Sequence, residues 1–325
     1  MVEKYKNTDY IYAVTLVRIW EKKLAGTSAF LRLCESGTFE DVLSFAHEAG
    51  YPDKGDDYEA MLWEETEHTY ARLREIAPDE ELFDLFLIEG DYHNLKVLLR
   101  EKALGLPPQD MLLTTRSRVD AKALRRAMEE EDLSSLPPEL AEAVEKGGKA
   151  LFEAKNPQLA DLEADRARMR DELSAALKTK NDFLIRYFRM KIDLYNLRTL
   201  FRMIEMKKDA SFADLALAGG GTIDPAMLAS LLEFESESAV DFYSKTEYAP
   251  IVAQASSLRG IEAACETFED DFLKKSGSIN FGVEPLVAYL LKKLTEIKRF
   301  RMLFVGKRND IQSSVLIESL GDIHA

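Results

Sequence analysis

The chain is poor in the residues from which most reactive sites are built. Its 325 residues include two cysteines, Cys34 and Cys265, and four histidines. Two cysteines are too few for a disulfide scaffold or a thiolate metal site, so both read as reduced, buried thiols. Four histidines leave general acid–base chemistry few candidates. Glycine and proline together number 26, so tight turns are few. No apolar run approaches the roughly eighteen residues that a membrane span needs. The opening MVEKYKNTDY has no apolar stretch behind a basic one, which argues against a signal peptide. Positive charge is also in deficit, with 43 Lys+Arg against 58 Asp+Glu and a net charge of −15. A general nucleic-acid binder needs a net basic face, so that class is excluded.

What is present points to helix. The hydrophobic fraction of 46% is enough for a real core, and the length suits two or three core-forming units. Leu and Ala number 79 against 28 Val and Ile, and β-branched residues favour strands over helices. Prolines sit where helices begin: Asn156-Pro157 and Asp224-Pro225 each set a capping side chain before a first-turn proline. Ser134 and Ser135 precede Leu136-Pro137-Pro138-Glu139 in the same manner, and Thr38 with Asp41 resembles a capping box. Gly219-Gly220-Gly221 is the clearest expected break, with Gly147-Gly148 a second. Apolar residues recur at three and four through Leu82–Leu99, Phe183–Met206 and Leu286–Phe304, and no segment alternates with period two. The fold class expected is all-α.

An internal repeat organises the chain. Asp91-Tyr-His-Asn94-Leu95-Lys96-Val-Leu98-Leu-Arg100 aligns with Asp193-Leu-Tyr-Asn196-Leu197-Arg198-Thr-Leu200-Phe-Arg202 at an offset of 102, with five identities. A weaker third copy lies near Glu296-Ile297-Lys298-Arg299-Phe300-Arg301, where the Asn and the leading Asp are gone. A second marker agrees, since Val119-Asp120 through Leu124 matches Ile223-Asp224 through Leu228 at an offset of 104. A repeat of about one hundred residues is long enough for a self-contained helical bundle, unlike the shorter units of solenoids. Three bundles side by side are expected, with limits near 1–112, 113–215 and 216–325. Asp91, Asn94, Asp193 and Asn196 are the structural residues of the repeat motif.

The motif helices run against the overall charge. Arg186 to Lys208 holds seven basic residues and two acidic ones, and Lys292 to Arg308 holds seven and one. Two readings stand: a set of basic helices facing a shared anionic partner, or a solvated face paired with acidic helices of the same bundle.

Enzymatic signatures fail on stated residues. Glu65-Thr-Glu-His68 lacks the second Glu-x-x-His that a di-iron bundle needs, so Glu65 and His68 read as surface or capping residues. Glu269-Asp270-Asp271 lacks a matching cluster for Mg²⁺-diphosphate chemistry and reads as a solvated helix face. Gly147-Gly148-Lys149-Ala150 lacks the first glycine and the Ser or Thr of a phosphate loop. No catalytic, cofactor or metal residue is assigned, and the chain is not expected to be an enzyme.

The early Tyr10-Ile-Tyr12-Ala-x4-Arg18-Ile-Trp-Glu21-Lys22-Lys23-Leu24 resembles the opening helix of the C subunit of archaeal and bacterial V-type rotary ATPases. The eukaryotic counterpart is the d subunit. Ile76-Ala77-Pro78, Asp91-x-x-Asn94-Leu95-Lys96 and Ile192-Asp193-x-x-Asn196-Leu197-Arg198-Thr199-Leu200 look like further blocks of that family, in its order and over nearly the full chain. Trp20 departs from the pattern, where a smaller residue is usual. The resemblance implies three pseudo-equivalent bundles arranged as a funnel. It implies a non-catalytic socket on the cytoplasmic face of the membrane, between the central-stalk subunits (D and F type) and the proteolipid rotor ring. It implies no cofactor, and a single copy within a hetero-oligomeric complex. Arg100, Arg202 and Arg301 would then be candidate contact residues at corresponding points of the repeat. An unrelated helical scaffold or adaptor is the alternative, followed by an all-helical Mg-dependent enzyme.

Overall fold

A computed structural model describes residues 5–105, 112, 116–233, 236–254 and 257–322. Among these residues there are sixteen α-helices, a few short 3₁₀ and π turns, and no strand. The all-α expectation holds. The chain packs as two compact units, one formed by Met1–Glu81 with Pro250–Ala325 and the other by Leu82–Ala249.

The first unit contains α1 (Ile11–Glu21), α2 (Thr27–Ser36), α3 (Phe39–Glu48) and α4 (Tyr58–Ile76). From the far end of the chain it adds α14 (Leu258–Lys274), α15 (Glu284–Arg308) and α16 (Ser313–Asp322). Helix α15 is its axis, packed by α1, α3 and α4. The core is aromatic: Phe30 and Tyr51 meet Phe300 with ring centroids 5.0 and 4.9 Å apart, and Tyr58 stacks on Phe304 at 5.0 Å. Such pairs add to the burial of apolar area, which is the main stabilising term.

The second unit contains α5 (Ile88–Leu104), α6 (Ala121–Glu130), α7 (Pro138–Gly148), α8 (Pro157–Thr179), α9 (Asp182–Glu205), α10 (Ala210–Ala216), α11 (Pro225–Ser230) and α12 (Ser236–Ser244). The chain leaves it through α13 (Ala249–Gln254). Helix α8 is its axis, touching α5, α7 and α9. Among the described residues no helix is long and apolar enough to cross a membrane.

Local chemistry explains most helix starts. Asn156 accepts the N–H of Leu159, Asp224 accepts that of Ala226, and Thr38 with Asp41 makes the reciprocal capping box. Two expectations are corrected. Helix α7 begins at Pro138 with Pro137 in the cap position, so Ser134 and Ser135 cap nothing there. Gly147-Gly148 does not break the chain: α7 runs through both into a π turn, Lys149–Glu153. A Cβ on Gly147 would lie 2.9 Å from Leu99 Cδ1, so that glycine serves close helix packing instead.

Candidate functional site

The two markers of the repeat touch each other in the folded chain. Asp91, on α5, is fully buried. Its carboxylate accepts the N–H of Val119 at 2.8 Å and the Arg118 Nε–H at 3.1 Å. Asp193, on α9, is 1% exposed. It accepts the N–H of Thr222 at 2.8 Å and that of Ile223 at 3.1 Å, and the Thr222 hydroxyl also donates to it. Each aspartate therefore holds the stretch of chain that enters a later helix, α6 for Asp91 and α11 for Asp193. Asp120 then caps α6 through the N–H of Ala123, as Asp224 caps α11. Backbone groups that would otherwise be buried without partners are satisfied this way.

The neighbours of the two aspartates are set by the same need. Tyr248 donates its hydroxyl to Asp193 at 2.8 Å. Beside Asp91, Arg118 forks onto Asp171 of α8 at 2.6 Å, and Tyr92 donates to that carboxylate at 3.3 Å. Both approaches need glycine. A Cβ on Gly90 would strike the Arg116 carbonyl, and one on Gly221 would strike the Asp193 carboxylate. One turn after Asp193, Asn196 makes a two-point clamp: its side-chain N–H donates to the Ala218 carbonyl at 2.7 Å and its oxygen accepts the Ala218 N–H at 2.8 Å. Asn94 is likewise fully buried one turn after Asp91.

The third copy keeps the place and inverts the charge, which reading for identities misses. Lys293 and Glu296 on α15 are 4% and 1% exposed. Lys293 lies 2.7 Å from Glu296 and 3.0 Å from Glu65 of α4, with its ammonium 4.0 Å from the centre of the Tyr51 ring. Glu296 also accepts the Tyr51 hydroxyl at 2.7 Å and the backbone N–H of Ala25. Glu65 is thus neither surface nor cap. It is 4% exposed and paired with Lys293 and Arg72, while His68 on the same helix is exposed. An apolar helix carrying Lys and Glu three apart was the available signal.

Burial governs the titrations. It pushes the Asp91 carboxyl up to about 6, against the pull of the Val119 N–H and Arg118. At Arg118 burial opposes the charge, but Asp171 and then Asp91 outweigh it and raise that group. The two directions agree if the guanidinium stays charged on Asp171 while Asp91 titrates. Burial and adjacent carboxylates also push Tyr51, Tyr92 and Tyr248 upward, so these phenols remain donors. Burial lowers Arg299 to about 10 and raises its neighbour Asp270, which is half-buried rather than solvated. Asp271 is exposed and paired with Lys274 at 2.7 Å.

Of the candidate contact residues, Arg100 pairs with Asp161 at 2.8 Å and Arg301 with Glu59 at 3.0 Å. Lys96 pairs with Asp165 at 2.7 Å. These three cations of the motif helices therefore meet acidic residues of the same unit. Arg202 is exposed on α9. Cys34 and Cys265 are both buried, and burial raises the Cys34 thiol.

These groups define an all-helical protein whose buried polar side chains fasten incoming loops to long helices. Comparison with known proteins gives that class a family. The family model described as ATP synthase (C/AC39) subunit matches residues 13–318, and the chain belongs to that family. It is 26% identical over 273 residues to the C subunit of the V-type sodium ATPase of Enterococcus hirae, covering 82% of this chain and 83% of that one. It is 25% identical over 358 residues to the C subunit of the A-type ATP synthase of Methanosarcina acetivorans, covering 98% and 94%. To the C subunit of the V-type ATP synthase of Thermus thermophilus it is 30% identical over 225 residues, covering 67% and 68%.

Proposed function

We propose that the chain is a non-catalytic coupling part of a V-type rotary ATPase: a socket between central-stalk subunits of the D and F type and the proteolipid rotor ring. It sits on the cytoplasmic face of the membrane without spanning it. The family match over residues 13–318 carries this reading. The internal architecture supports it, because a part that transmits torque has to resist shear between helices and loops. Asp91, Asp193 and Glu296 each tie a second stretch of backbone to a long helix by buried hydrogen bonds.

The proposal includes three bundle repeats with limits 1–112, 113–215 and 216–325, set as a funnel, with Arg100, Arg202 and Arg301 facing partners. What supports the repeat is the recurrence of one device, an α-helical aspartate holding the entry to a later helix, at Asp91 and Asp193. The test is removal of this chain from the purified complex and its return. ATP hydrolysis by the detached head should persist while ATP-driven ion transport is lost, and adding the chain back should restore transport. Transport that continues at full rate without the chain would defeat the reading. ATP hydrolysis by the chain alone would do so as well.

A further inference from the structure

Helix α1 is apolar on two sides. Ala13, Val14 and Val17 are buried in the core of their unit, yet Ile11 is 46%, Tyr12 68% and Ile19 51% exposed. A helix apolar all round is ordinarily covered all round. The two charges within α1 do not relieve this face, because both are used internally. Arg18 pairs with Glu21 at 2.6 Å and donates to the carbonyls of Ser276 and Ile279, each at 2.8 Å. Glu21 also accepts from Lys292 at 3.3 Å.

The same bonds draw the 276–282 turn alongside α1, and the Gly282 N–H secures it to the Asn7 carbonyl at 3.1 Å. Phe281, 50% exposed, is thereby held beside the helix. Between them lies a groove of about 470 Å³ whose walls include Ile11, Val14, Thr15, Ile19 and Phe281. The Thr15 hydroxyl proton is taken up by the Ile11 carbonyl at 2.9 Å, and Arg18, which lines the groove with Asn280, is held by Glu21 and by the Ser276 and Ile279 carbonyls. Charge not neutralised within the helix stands at one end. Lys22 lines the groove and Lys23 follows it, both exposed, and among the described residues neither is paired with a carboxylate.

We propose that this groove seats an amphipathic helix of a partner protein in the assembly. That helix lays an apolar stripe on Ile11, Ile19 and Phe281 and sets a carboxylate over Lys22 and Lys23. The inference rests on the coupling role proposed above and names the chemistry of one contact. The largely apolar walls, whose one guanidinium is already paired with Glu21, match an apolar stripe better than a polar strand or a nucleic acid. From Ile11 to Lys22 the helix rises about 16 Å, the length of a three-turn partner helix. The lysines at one end fix its direction by charge complementarity. An anionic bilayer is matched less well, because membrane-surface helices spread cations along the whole polar face and this chain carries a net −15.

The test uses the full chain and the ATPase complex stripped of it. Ile19→Asp and Phe281→Ser should each weaken association at least tenfold. Joint replacement Lys22→Glu and Lys23→Glu should weaken it several-fold and flatten its salt dependence. Circular dichroism and the urea midpoint should be unchanged in each variant, since all four side chains face solvent. A photo-cross-linker at Thr15 should capture a partner helix bearing a carboxylate beyond an apolar stripe. Failure of the unmodified chain to bind defeats the coupling reading and this inference with it. Binding by the unmodified chain that Ile19→Asp and Phe281→Ser leave intact overturns the groove alone. Cross-linking to a second copy, or vesicle binding abolished by Ile19→Asp, overturns it too.

Discussion

Lys293 and Glu296 form a buried ion pair, 2.7 Å apart, one turn along α15. The corresponding turns of α5 and α9 carry Asp91 with Asn94 and Asp193 with Asn196. What is kept is a job at a position rather than a residue. Asn196 accepts the Ala218 N–H and Glu296 accepts that of Ala25, each from a stretch of chain distant in sequence. An amide can do this alone. A carboxylate in the same buried place needs a cation, and Lys293 supplies it one turn earlier.

The carboxylate of Asp193 is the most heavily used acceptor of the set. Asp193→Ala leaves the N–H groups of Thr222 and Ile223 and the Tyr248 hydroxyl without it in a buried place. The expected loss is about 3–5 kcal/mol, read as a lower urea midpoint at unchanged slope. Tyr248→Phe, which removes one donor and keeps the ring, should cost about 1 kcal/mol.

Glycine at 221 should matter where glycine at 219 does not. A Cβ on Gly221 runs into the Asp193 carboxylate, whereas one on Gly219 meets nothing within 4 Å. Gly221→Ala should cost about 2 kcal/mol or more by pushing the loop off its aspartate, and Gly219→Ala should be within about 0.5 kcal/mol of the parent. Gly90→Ala should resemble Gly221→Ala, because its Cβ strikes the Arg116 carbonyl. Thermal midpoints of the three variants check this.

The sequence is legible where the cause of structure is local. Caps at Asn156, Asp224 and Thr38 can be read because each side chain and the N–H it accepts are two or three residues apart. The all-α class followed from composition and period. The pair Asp91 and Asp193 stood out by identity at a fixed offset, but their partners, Val119 and Ile223, appeared only as a second marker with no visible link to the first. Lys293 and Glu296 escaped because the charge pattern was inverted, and Glu65 because its partner lies more than two hundred residues away. Gly147 was misread as a break because a helix end and a tight helix contact ask for the same residue.

The stability of the chain should carry a term from Asp91 that falls as pH rises. Burial lifts this carboxyl to about 6, above an ordinary value of about 3.9. The folded state therefore holds its proton more tightly than the unfolded state does. The contribution is complete below about pH 4 and is lost as pH rises through about 6. Its ceiling is about 3 kcal/mol, from roughly two units at 1.36 kcal/mol each. The check is the stability of the parent minus that of Asp91→Asn across pH 4 to 7. That difference should decline with rising pH, and a flat difference would show that Arg118 and the Val119 N–H cancel the effect of burial.

Arginines at the candidate contact points should be dispensable for folding. Arg100 is 63% exposed at its side chain and Arg301 39%, and such pairs are worth about 0–1 kcal/mol. Arg100→Ala and Arg301→Ala should each shift the urea midpoint by no more than about 0.5 kcal/mol. Their effect on binding to the rest of the ATPase can then be read without a folding correction. Weaker, less salt-sensitive association would support partner contact, and unchanged association would mean that Asp161 and Glu59 account for the two side chains.

Removing the buried ammonium from the α4–α15 contact should be costly. Lys293→Met leaves Glu65 and Glu296 buried together without the ammonium that lies 3.0 and 2.7 Å from them. Methionine fills most of the lysine stem's volume, so the loss is chiefly electrostatic, about 3–5 kcal/mol at neutral pH. Adding Glu65→Gln and Glu296→Gln should recover most of the loss at neutral pH, since a glutamine oxygen can still accept from Ala25 and Tyr51. If the triple variant stays as unstable as Lys293→Met alone, the ammonium acts mainly through its contact with the Tyr51 ring, 4.0 Å away.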